Sequence, residues 1–457
     1  MLTRPRRPQE AALAICLLLA VLFACAGNRS HTASPLALRT DDAPMNRIAL
    51  SYVHLVLAVG QHDPDYVDAY YGPPEWKAEV EAAGKRPLSE LRALATGLSA
   101  ELAAIAPPGP PTGSAGSDDL PRLRHAYLTT QLRSLTARID LLSGTHMSFD
   151  LESRALYDAV APTYGAAHFR TILDQLAQLL PGDGPLIDRV EAFRNHFVIP
   201  RDRLDGVFSA AIAEARKRTG RHLVLPPGES FEVQYVTGKS WAGYNWYKGN
   251  YHSLIQVNTD LPIYIDRAVD LACHEGYPGH HLYNALLEER LVRGRGWTEF
   301  TVYPLSSPQS LIAEGTANFG IDVAFPGAER VAFERRVLFP LAGLDAREAD
   351  RYYQAQELLR GLAYAGNEAA RGYLDGTMTR EQAADWLIHY ALRSPERSEQ
   401  SLRFIEKYRS YVINYNYGKD LVGAYIESRG GTTSRPDVRW REFIRLISSP
   451  RLPSGLS

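Results

Sequence analysis

Ten residues, Cys273-His274-Glu275-Gly276-Tyr277-Pro278-Gly279-His280-His281-Leu282, constrain this chain more than any other stretch. They follow an amphipathic helical segment and set three imidazoles and a carboxylate around a helix breaker. The pattern reads as a stretched H-E-x-x-H, in which two His bind zinc and the Glu is a general base. In the ordinary motif the two His are about 6 Å of helix rise apart. Here the first His after Gly279 comes six residues after His274. A regular helix would carry it about 9 Å up the axis and roughly 120° around, too far for one ion. Pro278 bears on that objection. It has no N–H for the carbonyl of His274, and its ring would clash there, so the helix must kink or widen. Gly279 relaxes the backbone further.

A hydrolytic zinc site needs three protein ligands and an open position for water, whose pKa the metal lowers to about 7. His274 is the first ligand candidate, and the second is His280 or His281. Glu314 is the candidate third. Its helical neighbours Ile312, Ala313 and Ala317 are apolar, and such a Glu is seldom buried unless paired or metal-bound. Gly315 beside it permits close approach of helices. Glu275 would take a proton from the attacking water and pass it to the leaving amine. An oxyanion donor is also wanted, and Tyr415 and Tyr417 are the candidates. His252, and Arg403 as a clamp on a substrate carboxylate, rank behind them. Cys273 reads as a small buried hydrophobe, not as a ligand.

The N-terminus points outside the cytoplasm. Arg4, Arg6 and Arg7 precede an apolar run from Ala11 to Ala24, so residues 1–24 read as a signal peptide. Leu22-Phe23-Ala24-Cys25 resembles a bacterial lipobox, which implies cleavage before Cys25 and a lipid on it that ties the chain to a membrane. Ala26 next to it favours the outer membrane, by analogy with sorted lipoproteins. The expected location is therefore the cell envelope. Of the three cysteines, Cys16 falls in the leader, so no disulfide framework is implied. A net charge of −2 argues against a nucleic-acid partner.

Residues 25–44 are polar and aperiodic, a tether. Residues 45–225 read as a helical region, with helices from Met45 to Gly60, Leu88 to Ile105, Leu120 to Leu142 and onward to Arg218. Leu91, Leu94, Leu98 and Leu102 mark one buried stripe. Residues 226–457 form the catalytic region. Phe231–Val236 alternates like a strand, and Ala242–Tyr247 and Tyr251–Val257 follow it around a turn at Lys248-Gly249-Asn250. The expectation is a mainly α fold with a small antiparallel β-sheet beside the active-site helix, whose edge could accept an extended peptide. The central helix is expected to open at Leu261-Pro262, Ser307-Pro308 to cap the helix carrying Glu314, and Thr379–Gln382 to form a capping box.

His274-Glu275-Gly276-Tyr277-Pro278-Gly279-His280-His281-Leu282 resembles the H-E-x-x-P-G-H-H-L signature of a bacterial family termed domain of unknown function 885. Ala313-Glu314-Gly315 resembles that family's Glu-Gly-(Trp/Thr)-Ala element, and the resemblance runs from about Asp42 to Ser448. The family is distantly similar to gluzincin zinc metallopeptidases such as carboxypeptidase Taq-like enzymes, which carry H-E-x-G-H-A-L-Y. Aligning Gly279-His280-His281-Leu282-Tyr283 with G-H-A-L-Y implies that His280 is the second ligand and that His281 stands behind it or against substrate. The resemblance implies a multi-helical gluzincin-like metallopeptidase architecture, Zn2+ as cofactor and a peptide substrate. Thr316, where the family commonly has Trp, and the loosely matching Tyr415-Asn416-Tyr417-Gly418-Lys419 bear on specificity. The rival reading is a non-catalytic envelope protein that binds peptides or cell-wall fragments on the same scaffold. A zinc hydrolase of other amide bonds is the third.

Overall fold

Helix Pro308–Ala324, which carries Glu314, is buried along its length except at Asn318 and Asp322. A helix that is apolar nearly all round must be enclosed by others, and this one is. The computed structural model describes residues 42–107, 119–239 and 241–456; Cys25, the predicted leader and most of the tether lie outside these. Helix Ile413–Ser428 packs along Pro308–Ala324, and two glycines set the approach. A Cβ on Gly315 would stand 2.4 Å from the carbonyl oxygen of Gly418. The closeness expected of Gly315 is thus a helix–helix crossing with backbone against backbone.

The architecture is mainly α, as expected. Helices Ala43–Gly60, Leu88–Ala104 and Leu120–Leu142 pack on one another in the N-terminal half. Ile48, Val53, Val56 and Val59 of the first are fully buried. In the second, Leu91, Ala95 and Leu102 form the buried stripe and Leu94 is 39 % exposed, so Ala95 takes the place expected of Leu94. Ala95 is four residues from Leu91, the separation that keeps two side chains on one helix face. The first helix begins at Ala43, two residues inside the predicted tether.

Two small sheets lie among the helices. Strand β1 (Val67–Tyr70) pairs antiparallel with β5 (Val302–Pro304), a pairing across more than half the chain that local pattern does not reveal. The other sheet holds β2 (Ser230–Val236), β3 (Gly243–Gly249) and β4 (His252–Asn258) in the order β2-β4-β3. β3 and β4 form the expected antiparallel hairpin, but β2 runs parallel to β4, so the sheet is mixed and not wholly antiparallel. The physical reason is the tight turn. Asn250 and Tyr251, both at positive φ, force β3 and β4 to be neighbours, and β2 takes the other edge of β4, where its direction matches. The turn itself falls at Asn250-Tyr251, just after the predicted one.

The central helix starts at Asp266, because Tyr264 is still bridged to Val198 in extended form. It then widens into a π turn over Ala272–Gly276, stops, and a new helix starts at His280. Ser307 stands at the N-cap of Pro308–Ala324 but makes no side-chain cap; its hydroxyl donates to the carbonyl of Pro304 at 2.7 Å instead. The capping box at Thr379 and Gln382 is present.

Candidate metal centre

His274 belongs to the π turn, and His280 is the first residue of the following helix. Between them the chain folds back so tightly that a Cβ on Gly279 would stand 2.0 Å from the carbonyl oxygen of His274. No side chain fits there. The break brings Nε2 of His280 to 3.2 Å from Nε2 of His274, with the rings nearly perpendicular at 84°. Glu314, from the enclosed helix, completes the group: its Oε2 is 3.4 Å from His274 Nε2 and its Oε1 is 3.8 Å from His280 Nε2.

These separations suit one ion. Ligand atoms placed about 2.0–2.1 Å from a tetrahedral zinc are about 3.3 Å from each other. The chemistry of the donors agrees, since two imidazoles and a carboxylate are a recurrent zinc set. Glu314 Oε2 is buried and has no hydrogen-bond partner, which is costly for a carboxylate oxygen unless a cation sits against it. Burial pulls His280 down to about 4 against the opposing charge of Glu314, leaving a free lone pair at neutral pH. Burial also lowers His274, but the approach of Glu314 and the charges of Glu275 and Glu314 outweigh that and raise it above the ordinary value. Burial works to raise Glu314, and its contacts with His274, His280 and Tyr411 bring it below the usual carboxylate range.

Glu275 lies beside the group, its carboxylate within 4.8 Å of the two His nitrogens. Two carboxylates therefore compete for the third ligand position. Glu314 makes the shorter approaches and owns the orphaned oxygen, which favours it. Burial pushes Glu275 up to about 7, with the Glu314 charge adding and His274 opposing. Edge strand β3 covers it: a Cβ on Gly243 would be 3.0 Å from Glu275 Oε1, and Asn245 Nδ2 donates to the Glu275 backbone carbonyl at 2.7 Å.

His281 is placed elsewhere. Its Nδ1 meets the Ser253 hydroxyl at 2.9 Å and its Nε2 meets Glu229 Oε2 at 3.0 Å, so both ring nitrogens are taken and neither is left for an ion. Glu229, just before β2, also receives Tyr277 and Arg216, which fastens the interhelical break to the start of β2 and to helix Leu204–Gly220. The Tyr417 phenol is raised by burial. Tyr415 is on the near side: it is 41 % exposed, and although partly open its phenol is raised by burial and by the charges of Glu314 and Glu275. Residues two apart on a helix face opposite ways, so the pair could not both serve. His252 bonds Ser230 and Arg403 faces Glu399; neither joins the group. Cys273 is buried and free, and burial raises its thiol.

Two residues of the centre escape sequence reading. Tyr411 donates to Glu314 Oε1 at 2.9 Å and so orients the carboxylate. Its four-residue spacing from Tyr415 was the available signal, since i and i+4 share a face. Its turn is held by the N-terminal half, where the fully buried Glu152 accepts from Ser410 N at 3.1 Å and Arg409 Nε at 2.5 Å. Asp68, on β1, accepts the Tyr244 hydroxyl of β3; burial raises it to about 7, and the charge of Glu314 adds to the rise. No local pattern marked it.

No family model matches the chain, and no curated protein matches it. Among solved structures it is similar to a candidate lipoprotein of Colwellia psychrerythraea, at 16 % identity over 80 % of this chain and 68 % of that one, with a TM-score of 0.50. It is also similar to a candidate lipoprotein of unknown function from Shewanella oneidensis, at 12 % identity over 81 % and 72 % with a TM-score of 0.45. An M32 carboxypeptidase of Deinococcus radiodurans R1 aligns at 13 % identity over 89 % of both chains, with a TM-score of 0.46. The first of these likenesses is one of fold.

Proposed function

We propose that this protein is a zinc-dependent hydrolase of peptide bonds, with His274, His280 and Glu314 as ligands. The observation that carries the reading is the convergence of two neutral-capable imidazoles and a buried carboxylate whose Oε2 has no other partner. A zinc ion held there supplies Lewis acidity and makes water acidic enough to react near neutral pH. Glu275 takes the proton of the attacking water and returns it to the leaving amine. Tyr415 donates to the oxyanion, being partly exposed and on the face shared with Tyr411. Tyr411 fixes the direction of Glu314.

Zinc analysis with single substitutions tests the ligand set. The wild-type protein is expected to carry one zinc per chain and His280→Ala to lose it, since one of three ligands is gone. His281→Ala is expected to keep the zinc while unfolding at lower urea, because Glu229 loses a buried partner at a cost of about 1–3 kcal/mol. Metal-free wild-type protein purified without chelators would end the proposal.

The motif supports membership of the domain of unknown function 885 family, and Leu22–Cys25 supports anchoring in the envelope by a lipid on Cys25. Cys25→Ser is therefore expected to move the protein from the membrane fraction to the soluble fraction. Retention of the variant in the membrane fraction would count against the lipid.

A further inference from the structure

A second concave site opens where three distant segments meet. The π turn Glu288–Arg293, the end of helix Pro436–Ile447 and the first residue of helix Leu120–Leu142 border a cavity of about 620 Å³. No residue of the metal centre lines it. Four arginines do: Arg290, Arg295, Arg441 and Arg445. Two of them are held in place without an acid. Arg290 Nη1 donates to the Ser448 hydroxyl at 2.7 Å, and that hydroxyl donates onward to the carbonyl of Ile444 at 2.6 Å. The Arg295 guanidinium lies 5.4 Å over the Trp297 ring. Among the described residues neither Arg290 nor Arg295 pairs with a carboxylate. Glu442 is the carboxylate that meets the other two, 3.3 Å from Arg441 Nε and 3.8 Å from Arg445 Nη1.

Guanidinium groups gathered at one hollow repel one another, and an anion relieves that repulsion. Their planar forks match phosphate oxygens with pairs of parallel, charge-assisted hydrogen bonds. A phosphate can carry two negative charges, so it answers several arginines at once where a carboxylate carries one. The volume is that of a small-molecule pocket and exceeds what a lone ion needs. Leu120, Leu291 and Ile444 also line it and give the carbon part of a ligand an apolar wall. A single hollow, in a chain of net charge −2, suits a compact anion and not a nucleic-acid strand. We propose that this cavity binds a phosphate-bearing ligand, with the phosphate held by Arg290, Arg295 and Arg441 and the remainder laid against the three apolar side chains. The site goes beyond the hydrolytic reading and does not depend on it.

The test uses the full chain carrying Cys25→Ser, so that no lipid on the chain itself contributes. Calorimetry with inorganic phosphate, glycerol phosphate and acetate reads the anion chemistry. Flotation with vesicles of phosphatidylcholine, with or without phosphatidic acid, reads a membrane source. Both phosphates are expected to bind more tightly than acetate. Arg290→Gln combined with Arg295→Gln is expected to raise Kd about tenfold or more, because charge-assisted bonds are lost. Arg441→Gln alters a side chain that is 65 % exposed, so it tests the same weakening at a position the fold does not need. Arg347→Gln, at a side chain 89 % exposed and outside the cavity, controls for general surface charge and should leave Kd unchanged. Vesicle capture that needs both phosphatidic acid and the cavity arginines names a lipid headgroup as the source. Phosphate binding without vesicle capture names a soluble phosphate. Failure of phosphate, glycerol phosphate and the acidic vesicles alike to bind overturns the proposal. Binding unchanged in the arginine variants, or weakened equally by Arg347→Gln, overturns it as well. Acetate bound as tightly as phosphate overturns the assignment to phosphate.

Discussion

Glu275→Gln is expected to retain zinc and the fold while losing about a hundred- to ten-thousandfold in kcat/KM, the range typical of a removed general base. The substitution is nearly isosteric, and the amide cannot accept the proton. The fold should tolerate it for a stated reason. The bond from Asn245 goes to the Glu275 backbone carbonyl, not to the side chain, so the register of β3 against the π turn is kept. Burial and the repulsion of Glu314 already push this carboxyl up to about 7, so removing its charge relieves strain instead of creating it. The unfolding midpoint should thus stay level or rise. Peptide hydrolysis, bound zinc and urea unfolding measured on one preparation separate the outcomes. Full activity in the variant would remove Glu275 from the mechanism. Lost zinc would instead make Glu275 the ligand, the alternative left open by its place within 4.8 Å of both His nitrogens.

Gly279→Ala is expected to destabilise the protein by about 3 kcal/mol or more and to weaken zinc binding at the same time. A Cβ there meets His274 O at 2.0 Å and Cys273 O at 2.3 Å. Both atoms are backbone and both belong to the π turn, so relief requires moving the very segment that sets His274 against His280. Gly276→Ala is the control from the same stretch. Its Cβ meets Phe231 Cζ at 3.1 Å, a side chain that can give by a few tenths of an ångström, so the loss should be small. The comparison is read as the difference in urea midpoint and in zinc retained through dialysis. Equal stability of the two variants would show that the break between His274 and His280 is looser than this backbone contact implies.

The fold was legible in the sequence wherever burial follows a local period. Leu120–Leu142 was expected with the bounds it has, and Ala43–Gly60 buries the face predicted for it. The misses share a cause. β1 owes its existence to β5, which lies far along the chain, so nothing near Val67 announces it. The parallel pairing of β2 with β4 depends on which edge of the hairpin β2 reaches, a choice made by packing and not by alternation. The cap expected of Ser307 fails because its hydroxyl finds a carbonyl nearer than the helix amides.

At the centre, residue types and spacing alone named His274, Glu275 and Glu314, and the Pro278-Gly279 pair required the helix to break. Those conclusions rest on backbone chemistry that acts within a few residues: a proline without an N–H, a glycine without a Cβ. Tertiary structure decided the rest. It gave both nitrogens of His281 to Ser253 and Glu229. It set Tyr411 on Glu314 through a turn held by Glu152. It also brought Asp68 of β1 to the Tyr244 hydroxyl of β3. Such contacts depend on where distant segments meet, and that is set by how the helices and strands pack, which no local spacing encodes.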